Sequence, residues 1–140
     1  MKRSLILILV LMFVFAAVGS AQAENYVKPE VFKKWVESGK KMIIVDIQPK
    51  EDFEKQHFKG SLETQAYPAK TEEERKKLDA VLPKIRESRE DVVIICPRGG
   101  GGAKNTYAYL EESGVPEDRI FILEKGMAGW PYKEMCARGR

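Results

Sequence analysis

Two uninterrupted apolar runs constrain this chain most: Met42–Val45, which ends in Asp46, and Val92–Ile95, which ends in Cys96. Neither alternates polar with apolar residues, so each strand must be buried on both faces. A parallel sheet covered by helices meets that condition. Ile120–Leu123 is a third run of the same kind. Helical patterns lie between these runs. Lys28 to Gly39 places Val31, Phe32, Trp35 and Val36 on one face, with Pro29 in the first turn and Gly39 as the stop. Pro49 to His57 reads as a second helix, and Gly60 to Tyr67 as an irregular stretch with room for a short strand. Thr71 to Arg89 is charged, with Leu78, Val81, Leu82 and Ile85 as its apolar stripe and Pro83 as a kink or split. Ala103 to Ser113 is a helix along Ala103, Tyr107 and Leu110, ended by Gly114, and Gly126 to Tyr132 opens a terminal turn or helix. This alternation predicts an α/β fold with a mostly parallel sheet.

The N-terminus follows a different logic. Lys2 and Arg3 precede an unbroken apolar run from Leu5 to Val18, and Ala21-Gln22-Ala23 supplies small residues where a signal peptidase reads them. The run is short for a membrane span, which needs about 20 apolar residues. Residues 1–23 are therefore expected to be a secretory signal peptide, and 24–140 a single domain exported to the periplasm or secreted, with no membrane attachment after cleavage. Loss of Lys2 and Arg3 leaves 22 basic against 21 acidic residues, a net charge of +1. So balanced a surface argues against a nucleic-acid partner held by a basic stripe. Cys96 and Cys136, with His57 as the sole histidine, do not give zinc-ligand spacing, so no metal is expected, and no cofactor is indicated.

The chemistry points to the second strand's end. Cys96 is followed by Pro97, Arg98 and then Gly99, Gly100, Gly101 and Gly102, which lead into the Ala103 helix. Ligands of open parallel sheets bind beyond the carboxyl ends of strands. Glycines accept positive φ and carry no Cβ, so successive amides can curl into a cup that holds an anion or a sulfur borne on Cys96. Loop amides and a helix N-terminus both favour a thiolate. The other glycine motifs fail. The phosphate-binding loop needs Gly-Lys-Ser/Thr where Ala103-Lys104-Asn105 stands, and Lys104 occupies the sixth place of a dinucleotide fingerprint begun at Gly99.

From Lys28 to Pro131 these residues resemble the single-domain rhodaneses, a family of sulfurtransferases. Asp46 and Asp52-Phe53 match the family's strand-end Asp and the acid-Phe pair of the next helix. Gln56-His57-Phe58-Lys59-Gly60-Ser61 is a degraded Gly-His-Ile-Pro-Gly-Ala. Cys96, Gly99, Ala103 and Lys104 fall in register with the active loop, and Gly126 to Pro131 with the closing Gly-x-x-x-Trp. The resemblance implies a rhodanese-like three-layer sandwich, helices on both faces of a mostly parallel sheet. It implies a Cys96 persulfide that carries sulfane sulfur from a donor such as thiosulfate to a thiol or cyanide. The partners would be a small sulfur-containing anion or a protein thiol. The chain departs from the family where Gly101 and Gly102 replace the usual loop Arg and Ser, and where Gln48 replaces an Arg two residues after the Asp.

Each candidate has a blander reading. Cys96 as nucleophile outweighs Cys96 as a core or disulfide cysteine. Cys136 could be a relay thiol, a disulfide partner of Cys96 or a surface cysteine in a frayed tail, and its nearness to Arg140 favours the last. Arg98 either attracts anionic donors or is simply solvated. Asp46 is expected to hydrogen-bond neighbouring loops rather than do chemistry, His57 to lie at the surface, and Trp35 and Trp130 to belong to the core. A cysteine phosphatase needs an Arg where Gly102 stands. Two rival functions remain: a sulfur- or anion-binding module without turnover, and a thiol–disulfide protein using Cys96 and Cys136.

Overall fold

A computed structural model describes residues 23–140; the first 22 residues of the expected leader lie outside the described residues. The elements in order are β1 (Tyr26–Val27), α1 (Pro29–Glu37), β2 (Met42–Asp46), α2 (Lys50–Lys55), β3 (His57–Phe58) and β4 (Leu62–Glu63). Then come α3 (Glu72–Lys76), a 3-10 turn (Lys77–Ala80), α4 (Leu82–Glu87), β5 (Asp91–Ile95) and α5 (Gly101–Glu112). Two further 3-10 turns, Glu117–Arg119 and Lys133–Met135, flank β6 (Ile120–Leu123) and precede β7 (Cys136–Ala137).

Five strands form a wholly parallel sheet in the order β1-β6-β5-β2-β4. The long apolar runs are its centre, and alternate residues of each feed opposite cores. Ile43, Val45, Val92, Ile94, Ile120 and Ile122 pack with Leu78, Leu82 and Ile85 from the α3–α4 segment and with Ala103, Tyr107 and Leu110 of α5. Ile44, Val93, Ile95 and Leu123 face the other way, against Phe32 of α1, Phe58 and Trp130. This is the three-layer α/β sandwich. Trp130 is buried as expected, set edge-on to Phe32 and Phe58 at centroid distances of 5.6 and 5.0 Å. Trp35 is only partly buried, packed against the same core.

Several expectations need correction. The second helix stops at Lys55, because Gln56 turns extended (φ −163°) and His57 joins β3. His57 is half-buried, its ring stacked on Phe53 at 4.0 Å. The charged segment breaks at Lys77–Ala80, not at Pro83, which sits harmlessly in the first turn of α4. Its start is a capping box: the Thr71 hydroxyl accepts from the Glu74 amide, and the Glu74 carboxylate accepts from the Thr71 amide. The C-terminus is not frayed. Cys136 and Ala137 pair antiparallel with Phe58 and His57, the Gly139 amide donates to the Glu54 carbonyl at 2.7 Å, and Arg140 bridges Glu54 and Glu63.

Candidate functional site

The site sits where β5 and β2 end together. Asp46 is the partner of Ile95, and the Ile47 amide extends the pairing by donating to the Ile95 carbonyl. Chain order reverses here, since β2 leads outward to β4 while β5 leads to β6 on the other side. In open α/β sheets such a crevice is the usual ligand site.

Cys96 is the first residue past β5. The Gly99 N–H donates to its Sγ at 2.6 Å, and among the described residues no other N–H reaches that sulfur. Gly99 owes this position to a missing side chain. Its φ is +70°, and a Cβ there would stand 2.7 Å from the Lys125 nitrogen and 2.9 Å from that of Gly126. The turn after β6 presses up beneath the loop: the Met127 and Ala128 amides donate to the carbonyls of Cys96 and Pro97 at 2.8 and 2.9 Å. A Cβ on Gly126 would lie 2.3 Å from the Cys96 carbonyl oxygen, which explains this glycine too.

The four glycines are not one loop. Helix α5 begins at Gly101, two residues earlier than expected, with Gly100 as its N-cap. Gly101 and Gly102 therefore belong to the first helical turn, and the cup is shorter than the sequence implied. Cys96 is also nearly enclosed, at 1% exposure. Around Gly100 and Gly101 there is open space.

Beside Pro97 and Arg98 lies a cleft of about 320 Å³ that also takes in Gln48, Asp52, Lys55, Gln56, Met127 and Ala128. Arg98 is exposed at its wall, and Lys55 gives it a second cation. Lys55 was not singled out from the sequence, because the end of a charged helix carries no signal of what it faces.

Asp46 is buried, with 0% exposure. Its Oδ1 accepts from the Gln48 backbone N–H at 2.8 Å and its Oδ2 from Gln48 Nε2 at 3.0 Å; its carbonyl accepts from the Thr64 amide and hydroxyl. Its carboxylate holds Gln48 within the same loop, and its backbone carbonyl holds Thr64. Burial pushes its carboxyl up to about 6 from 3.8; the Gln48 hydrogen bonds and His57 offset this in part, while Glu63 adds to it. Gln48 also donates to the Gln56 carbonyl, and Gln56 to that of Met127, at 3.2 and 3.4 Å. A neutral amide thus stands where a guanidinium would have balanced the carboxylate. Cys136 is a free thiol pushed up to about 11, chiefly by burial and then by the charges of Glu134 and Asp46. Cys96 is likewise free. Among the described residues no group of three or more potential ligands could hold a metal ion.

The rhodanese-like domain model matches residues 28–133. The chain belongs to the rhodanese-like family. Solved rhodanese structures share its fold at low identity. A rhodanese-like domain protein from Staphylococcus aureus superposes with a TM-score of 0.60 at 19% identity, over 83% of this chain and 99% of that one. A yeast protein tyrosine phosphatase of the rhodanese family gives 0.59 at 19%, over 79% and 86%. A thiosulfate sulfurtransferase from Pseudomonas aeruginosa gives 0.61 at 14%, over 84% of this chain and 20% of that longer one. No curated protein sequence matches the chain. The family thus includes sulfurtransferases and phosphatases on one scaffold.

Proposed function

We propose that this rhodanese-like protein is an exported sulfurtransferase that carries sulfane sulfur on Cys96. The observation that carries the reading is the Gly99 N–H held at 2.6 Å from Cys96 Sγ, at the carboxyl end of a central parallel strand. A backbone donor fixed there stabilises negative sulfur, whether thiolate or persulfide. In the first half-reaction the thiolate attacks the outer sulfur of a donor such as thiosulfate. The donor's S–S bond breaks and sulfite leaves with the bonding pair, so Cys96 keeps the extra sulfur as a persulfide. In the second, cyanide or a thiolate attacks that outer sulfur and Cys96 leaves as the thiolate. Arg98 and Lys55 draw the anionic donor to the adjoining cleft. Export to the periplasm or medium rests on Lys2, Arg3, the Leu5–Val18 run and Ala21-Gln22-Ala23.

The near-enclosure of Cys96 and the absence of a loop Arg at Gly101 favour one second reading, a module that binds sulfur without turning over. The thiol–disulfide reading is weakened by the Cys136 thiol, which stays protonated at neutral pH. Reduced protein is incubated with thiosulfate and its intact mass recorded, then repeated with Cys96→Ser and Cys136→Ser. A one-sulfur gain lost only in Cys96→Ser, with thiocyanate released repeatedly on adding cyanide, is expected. Loading without repeated release supports the binding module. A two-hydrogen loss that needs both cysteines supports the disulfide pair instead.

A further inference from the structure

Two glutamines join the buried end of β2 to the turn beneath the Cys96 loop. Gln48 is 2% exposed, and its side-chain nitrogen spends both N–H bonds inside the protein. Nε2 donates to Asp46 Oδ2 at 3.0 Å and to the Gln56 carbonyl at 3.2 Å. Gln56, just past α2, passes the contact on, its own Nε2 donating to the Met127 carbonyl at 3.4 Å. That carbonyl belongs to the peptide unit whose N–H, on Ala128, donates to the Pro97 carbonyl at 2.9 Å. The preceding unit donates from Met127 to the Cys96 carbonyl at 2.8 Å. A peptide group that accepts at its oxygen donates better at its nitrogen, so links in such a chain reinforce one another.

The relay starts at a buried carboxyl and ends on the two residues that open the nucleophile's loop. To turn away, Cys96 and Pro97 would have to break their bonds to Met127 and Ala128, and the Gly99 N–H would lose its place opposite Sγ. Both glutamines also line the cleft beside Pro97 and Arg98.

The geometry points to Gln48 and Gln56 as positioning residues for sulfur loading: they hold the Met127–Ala128 turn, and through it the Cys96 and Pro97 carbonyls, so that Sγ faces the Gly99 N–H. The inference rests on the sulfurtransferase reading. Residues that act through geometry change the rate at saturating donor and leave the half-saturating donor concentration alone, because a reacting group slightly out of place still has its donor bound.

Rates of one-sulfur mass gain are measured against thiosulfate concentration, with thermal unfolding alongside, for the wild type, Gln56→Leu, Gln56→Met, Gln48→Leu, Gln48→Arg and the Gln48→Leu/Gln56→Leu double variant. Gln56→Met keeps the length of the side chain and removes its amide; Gln48→Arg keeps the donors. The saturating rate should fall about tenfold in both Gln56 variants, against the roughly hundredfold that a misplacement of ~1 Å costs. The half-saturating concentration should not move. Gln48→Arg should keep most of the wild-type rate, and the double variant should load no more slowly than the slower single one, since links of one relay do not add. Gln56 is half-buried, so the Gln56 variants carry the test if Gln48→Leu, which strands Asp46, fails to fold. Wild-type saturating rates in both Gln56 variants overturn the inference while sulfur transfer stands. A change confined to the half-saturating concentration does the same, because it makes Gln56 a donor-binding residue. A wild type that takes up no sulfur overturns both.

Discussion

Asp46 gives the sharpest quantitative test of the site's electrostatics. It is a fully buried carboxyl held by an amide instead of a guanidinium, with a native pKa of about 6 against 3.8 when free. The folded state therefore keeps a proton at pH values where the unfolded chain has lost it. Stability must rise as pH falls through 6 and be fully recovered below about 4, the reverse of the usual salt-bridged aspartate. The 2.2-unit difference corresponds to about 3 kcal/mol at neutral pH, and about 2 kcal/mol of it returns between pH 7.5 and 4.5. Asp46→Asn removes the titration and still offers an oxygen to the Gln48 N–H. Urea unfolding followed by tryptophan fluorescence, at half-unit pH steps, yields the difference between wild type and variant. That difference should shift in favour of the wild type by about 2 kcal/mol from pH 7.5 to 4.5. Because every other residue is the same in both proteins, parallel pH profiles would refute the assignment of the burial cost to Asp46.

Other outcomes follow from the same geometry. Gly99→Ala combines a positive φ with contacts to backbone under 3 Å, so it should lower stability by about 2 kcal/mol or more in thermal unfolding, whereas Gly100→Ala, facing open space, should cost under about 1 kcal/mol. Gly101→Arg has room for its side chain and supplies the guanidinium that the family usually carries; thiosulfate loading of Cys96, read by intact mass, should quicken about tenfold, the effect of roughly 1.4 kcal/mol from a charge-assisted hydrogen bond. In a Cys96→Ser background, iodoacetamide should alkylate Cys136 very slowly at pH 7.5, with a rate that climbs toward a midpoint near 11.

Much of this molecule was written in local pattern. Continuous apolar runs must be buried on two faces, and that alone dictated a helix-covered parallel sheet with Cys96 and Asp46 at its strand ends. The glycines after Cys96 raised the expectation of a backbone-lined cup because their φ freedom is a property of the residue itself, yet only Gly99 takes a positive φ and donates to the sulfur, while Gly101 and Gly102 open α5. What the sequence could not assign was which neighbours would fill the space those glycines leave. Gly99 is held by the turn at Lys125 and Gly126, and Gly102 by a tyrosine 35 positions earlier; such contacts exist only once distant segments meet. The tail shows the same limit. Cys136 looked free to fray, yet pairing with Phe58 and the grip of Arg140 on Glu54 and Glu63 fasten it, since β-pairing and ion pairs between remote segments leave no periodic trace in the chain. Residue type set the chemistry available; tertiary packing decided how far Cys96 is shut away from solvent.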